Sequence, residues 1–165
     1  SVGKGEFDGQ YDALCELAEK AQDVKDDLLR AIDADTEAFN EVIAGMRMAK
    51  DTAEQQEARA AAIRAGYRTA ADVPLRTAEL CRDVLDLCRQ AANVGNDAVM
   101  SDAGVGALMA LAGLRGAIHN VRINLPHTKD AEFIARVSAQ VEELSAEAQK
   151  VCDAVQEQVE ASFGA

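Results

Sequence analysis

Tryptophan is absent from this chain, aromatic residues make up only 4% of it, and there are two prolines. Sheet cores lean on aromatic and β-branched side chains, so this scarcity argues against a β-rich domain, and few prolines leave long helices uninterrupted. Basic residues are also in short supply: 17 Lys plus Arg stand against 29 Asp plus Glu, a formal net charge of −12. An excess of that sign opposes nonspecific binding to nucleic acid or to an anionic membrane surface, since both repel a polyanion. Only two histidines are present, and the four cysteines (Cys15, Cys81, Cys88 and Cys152) form no CxxC pair and no zinc-ligand spacing. No metal site is therefore expected, and the cysteines read as buried thiols in a reducing compartment. No secretory signal, basic anchor or apolar run of membrane-spanning length appears, so a cytoplasmic location is expected.

What the chain does have is alanine, leucine and charge at helical spacing. Its 165 residues, 48% hydrophobic, suffice for one domain over residues 1–165 with a sizeable core. The first nine residues, SVGKGEFDG, read as a turn. From about Tyr11 to Met48 the pattern is helical, as one long helix or two collinear ones. Thr52 and Gln55 form a capping box for the next helix. Pro74 either kinks that helix or starts a new one, after which Val73, Thr77, Leu80, Val84, Leu87 and Ala91 mark an inward face. The sequence Asn93-Val94-Gly95-Asn96 ends it, Ser101 caps a helix running to about Asn124, and a last helix spans about Asp130 to Phe163. The expected fold is all-α, an up-and-down bundle of four or five long helices. The regular seam of the last helix (Ile134, Val137, Val141, Leu144, Ala148, Val151, Val155, Val159) suits the core or a second subunit, and a homodimer is expected.

Two regions draw attention as sites. Leu28, Ile32, Asp35, Phe39, Val42 and Met46 recur at spacings of three and four, which puts the Asp35 carboxylate on the face expected to turn inward. A carboxylate there needs a polar partner or a proton, so it serves either structure or chemistry. In SDAGVGALMALAGLRGAIHNVRIN, Asp102, Gly106, Met109, Gly113, Asn120 and Asn124 follow one side of a helix. The glycines suit close helix packing or a shallow groove; the two asparagines suit a heterocycle rich in donors and acceptors, or the end of a neighbouring helix. Lys4, Lys50, Arg115 and Arg122 are candidates for carboxylates of an anionic ligand. Neither His119 nor His127 has a nucleophile partner in the sequence, and no phosphate-binding loop is present.

The stretches VGKGEF, AIDADTEAFNEV, ADVPLRTAELCRDVLDL, GNDAVMSDAGVGAL and GLRGAIHNVRIN, in this order, closely resemble the cyclodeaminase/methenyltetrahydrofolate cyclohydrolase family, which includes the folate domain of formiminotransferase-cyclodeaminase. The resemblance spans most of residues 2–125 and implies an all-helical, dimeric protein. It also implies a further N-terminal helix, preceded by a glycine-rich loop, that would come before residue 1; this segment is expected to be missing from the chain.

By this resemblance Asp35 and Asp102 are the catalytic candidates. Asp33 and Phe39 match beside Asp35, Asn120 and Asn124 match N-V-x-x-N, and Lys4 and Lys50 match lysines expected to meet the substrate's glutamate carboxylates. Gly5 and Glu6 replace further lysines after Lys4, and Met48-Ala49-Lys50 lacks the family's proline. The implied substrate is a tetrahydrofolate derivative, with no metal or redox cofactor. The first-ranked reaction is hydrolysis of 5,10-methenyltetrahydrofolate to 10-formyltetrahydrofolate, with Asp35 as general base and Asp102 exchanging a proton with the ring nitrogen. Ring closure of 5-formiminotetrahydrofolate with loss of ammonia is the enzymatic alternative. A noncatalytic helical scaffold is the alternative of a different kind.

Overall fold

The computed structural model describes residues 11–94 and 97–163. Four long helices follow one another: α1 (Tyr11–Arg47), α2 (Ala53–Val94), α3 (Asp97–Asn124) and α4 (Ala131–Ser162), with a single 3₁₀ turn, Leu125–Thr128, between the last two. The architecture is an all-α, up-and-down bundle, with no strand among the described residues. α2 is the central element. α1, α3 and α4 all pack against it, and α3 and α4 also pack against each other.

Local signals set several boundaries. The capping box forms: the Gln55 amide N–H donates to Thr52 Oγ1 (3.2 Å), while Gln55 Oε1 accepts from the amides of Asp51 (2.9 Å) and Thr52 (3.3 Å). Asp130 caps α4 by accepting from the Phe133 amide at 2.9 Å. That bond, with Arg68 close by, holds the Asp130 carboxyl below the usual range. α1 is one continuous helix. Ser101 lies inside α3, which begins at Asp97, and is not its cap. Lys4 falls outside the described residues, as do Gly95 and Asn96.

Pro74 neither breaks α2 nor starts a new helix; it is buried in the interior of a 42-residue one. A proline has no N–H, so the carbonyl of Ala70, one turn earlier, loses its helical donor. The side chain of Asn124 supplies one, Nδ2 donating to the Ala70 carbonyl at 2.7 Å. The end of α3 is thereby tied to the proline turn of α2.

The core lies between α2, α3 and α4. The seam of α4 belongs to it, with Val137, Val141, Leu144, Ala148, Val155 and Val159 all buried. Of the four cysteines expected to be buried, Cys81 and Cys152 are, and burial pushes both thiols above their ordinary range, whereas Cys15 and Cys88 are half-buried. Two of the α3 glycines serve close packing: a Cβ on Gly106 would come within 2.9 Å of Cys88 Sγ, and one on Gly113 within 3.1 Å of Cys81 Sγ.

The expected inward face of α1 is out of phase. Ala38, Val42 and Gly45 are buried, with Ala31 and Ala34 half-buried, whereas Ile32 and Phe39 are each 62% exposed and Asp35 is exposed. α1 has α2 as its main packing partner, so the flank carrying Asp35 stays open toward α3. Of the expected inward face of α2, Leu80 is buried and Val73, Thr77, Val84, Leu87 and Ala91 are half-buried, while the rest of the buried side falls on Ala71, Pro74, Leu75, Ala78, Cys81 and Leu85.

Candidate active site

Between α1 and α3, with α2 as floor, runs a groove divided into clefts. One, of about 330 Å³, is lined by Asp35, Phe39, Val42, Ile43 and Met46 of α1, Tyr67 and Ala70 of α2, and Asn120, Ile123, Asn124 and His127. A second, of about 390 Å³, is lined by Leu28, Ile32, Asp35 and Thr36 of α1, Pro74 and Thr77 of α2, and Gly113, Gly116, Ala117 and Asn120 of α3. Asp35 and Asn120 line both. A carboxylate and an amide thus face a junction from which two recesses open.

The sequence candidates divide by location. Asp35, Phe39, Asn120 and Asn124 come together in the first cleft. Asn124 is partly committed to the scaffold through Ala70, but it keeps its carbonyl and one N–H. Asp33 is exposed on α1 and lines neither cleft; Lys50 is exposed in the α1–α2 connection, past the Met46 end of the groove. Asp102 does not join them. It lines a third, largely apolar cleft of about 690 Å³ with Lys25, Leu28, Val84 and Cys88, among others. Its position on α3 is about 27 Å from Asn120 at the helical rise of about 1.5 Å per residue. Within one chain the two catalytic candidates do not face the same small group.

Arg115 and Arg122 serve structure. Arg122 pairs with Glu142 at 2.6 Å and Arg115 donates to Gln149 at 2.5 Å, tying α3 to α4 on the side away from the groove. The glycine stripe is both packing and groove: Gly113 meets α2, while a Cβ on Gly116 would find nothing within 4 Å. Among the described residues, no group of three His, Cys, Asp or Glu could hold a metal ion.

Two cleft residues are not among the expected binding residues: Tyr67 draws no notice, and His127 is left without a nucleophile partner. The rings of Tyr67 and His127 stack with centroids 4.4 Å apart and planes inclined by 24°. They belong to α2 and to the 3₁₀ turn, so no helical periodicity links them. The only linear hint is a histidine directly after Pro126, where α3 has ended.

The comparisons agree with this fold. A family model described as formiminotransferase-cyclodeaminase matches residues 1–143. A methenyltetrahydrofolate cyclohydrolase from Methylorubrum extorquens is 37% identical over 96% of this chain and 76% of its own length. The formimidoyltransferase-cyclodeaminase of Gallus gallus is 33% identical over 91% of this chain, but the match spans only 28% of that longer protein. The crystal structure of a formiminotetrahydrofolate cyclodeaminase from Thermotoga maritima superposes with a TM-score of 0.84, at 20% identity, over 96% of this chain and 75% of that one; it shares the fold. The chain belongs to the formiminotransferase-cyclodeaminase family, whose relatives include the methenyltetrahydrofolate cyclohydrolase.

Proposed function

We propose that this protein transforms the one-carbon bridge of a tetrahydrofolate, with Asp35 at the reacting carbon. The observation that carries this reading is that Asp35 and Asn120 line both clefts at once. The reacting carbon of such a substrate sits between N5 of the pterin and N10 of the p-aminobenzoyl group, with a flat ring system on either side. A junction with two recesses suits that shape.

In the cyclodeaminase direction, N10 attacks the formimino carbon, the new N10–C bond closes the five-membered ring, and ammonia leaves. In the cyclohydrolase direction, water attacks the bridging carbon and the N5–C bond opens to leave the formyl group on N10. Asp35 serves either: its negative charge favours the amidinium, and it can take the proton that the attacking nitrogen or water loses. Asn120 orients the amidine-bearing atoms, and Lys50, past the Met46 end, meets the glutamate carboxylate. The family model and the relatives named cyclodeaminases favour ring closure with ammonia release. The cyclohydrolase reading, ranked first from sequence, draws on the Methylorubrum relative matched over most of its length. The exposed apolar flank of α1 and α3 supports a homodimer as the working form.

The test is a pair of assays on one preparation: ammonia release from 5-formiminotetrahydrofolate, and loss of methenyltetrahydrofolate above its spontaneous hydrolysis. The first activity alone makes the protein a cyclodeaminase, and the second alone a cyclohydrolase. Neither, from folded protein, leaves the scaffold reading. Asp35→Asn should reduce the observed turnover by about a hundredfold or more without changing the melting temperature. Unchanged turnover would remove Asp35 from the chemistry.

A further inference from the structure

We propose that His127 is a binding residue whose imidazole, held by its stack on Tyr67, grips the flat p-aminobenzoyl ring of the substrate. This rests on the functional reading above and extends it to a residue outside the motifs that carried the resemblance. Three observations lead there. First, the stack stands in the cleft that Asp35, Asn120 and Asn124 also line, with the ring of Phe39 on the α1 side. Phe39 is 62% exposed, so its ring is available to a ligand rather than spent on the core. Aromatic rings from three separate elements (α1, α2 and the turn) therefore line one narrow recess, although aromatic residues make up only 4% of the chain.

Second, the imidazole is placed by the scaffold. The 3₁₀ turn is anchored by Leu125 and Thr128, which are buried, and the Thr128 hydroxyl donates to the Leu125 carbonyl at 2.7 Å. One residue before the turn, Asn124 is bonded to α2. Between these anchors His127 is exposed, yet its ring lies against Tyr67. A ring fixed in this way presents a flat face at little cost in side-chain freedom.

Third, the ends of the groove differ. The recess with Gly113, Gly116 and Thr77 has no aromatic lining, whereas the recess with Tyr67, His127 and Phe39 reaches Met46, four residues before Lys50 in the chain. With the reacting carbon at Asp35 and the glutamate directed to Lys50, the ring that follows N10 falls on the stack. The pterin then occupies the glycine-lined recess.

Calorimetric titration of three probes separates the possibilities: 5-formyltetrahydrofolate, p-aminobenzoylglutamate, and a tetrahydropterin lacking the benzoyl group. His127→Ala should weaken the first two by about tenfold, as loss of one stacking partner does, and leave the third unchanged. In turnover, KM should rise by a similar factor while kcat stays within about twofold. His127→Phe, which keeps a flat ring and loses both nitrogens, should restore binding and KM, whereas His127→Gln should not. This rescue distinguishes a gripping ring from a merely structural one, provided all variants melt within a few degrees of the wild type. A His127→Phe enzyme with normal KM and collapsed kcat would overturn the proposal in favour of proton transfer by the imidazole. Weakening of the tetrahydropterin instead of p-aminobenzoylglutamate would overturn it by reversing the substrate, and so would unchanged affinities in His127→Ala. Failure of the wild type to bind any of the three probes would instead bring down the folate reading itself.

Discussion

Pro74 withholds one hydrogen bond from α2, and Asn124 returns it from another helix. Removing the donor should therefore cost more than its own interaction. Asn124→Ala leaves the partly buried Ala70 carbonyl unpaired, an expected loss of about 1–3 kcal/mol. In a Pro74→Ala background the backbone N–H is restored, so the same Asn124→Ala change should cost well under half as much. A denaturant-based double-mutant cycle measures the difference, and equal costs in both backgrounds would disprove the compensation. This pairing also shows where reading residues in sequence stops. Asn124 stood out through its motif, but its partner is a carbonyl freed by a proline far away in the chain. Asp35 stood out as a polar residue in an apolar stripe and lies in the groove, yet the inference of burial failed. An exposed flank rich in isoleucine, phenylalanine and methionine has the same periodicity as a core. His127 was noted and set aside for want of a nucleophile partner, because its significance lies in Tyr67, on another helix.

At the scale of elements, the helices were legible wherever their determinants were local. The Thr52–Gln55 box and the end of α3 before Pro126 follow from neighbours within a few residues, and Asp130, read only as the approximate start of the last helix, is its N-cap. The phase of α1 and α2 against each other was not legible, because it depends on backbone contact at glycines. At Gly66 a Cβ would stand 2.9 Å from the backbone nitrogen of Val42 and 3.1 Å from its Cα. Backbone cannot move aside as a flexible side chain does. Gly66→Ala should thus push α1 from α2 and destabilise the fold by about 1–3 kcal/mol. Gly116→Ala is the contrasting case: with nothing in its way, it should be neutral or stabilising by up to about 1 kcal/mol through helix propensity. Chemical denaturation of the two variants checks the pair. An equal loss at both positions would mean that helical glycine, rather than close approach, sets the cost.

For the whole molecule, the unspent surface lies on one flank. Val105 and Met109 on α3, which line neither of the two substrate clefts, and Ile32, Phe39 and Ile123 at the cleft edges are each more than 60% exposed. A flank of this kind is unusual on a protein that works as a single copy. Sedimentation should show a dimer for the wild type, and Met109→Asp, which places a charge in the middle of the α3 surface, should shift it to monomer. A monomeric wild type would refute the homodimer. The groove has a consequence of its own. Asp35 rides on α1 and Asn120 on α3, while Tyr67, Ala70, Pro74 and Thr77, along one side of α2, lie beneath both clefts. The span between acid and amide is thus gauged by a third helix. A bulkier residue at Ala70 would reset that gauge without altering Asp35 or Asn120, so, under the proposed function, the size of one-carbon unit the site admits would be written on a helix that does no chemistry.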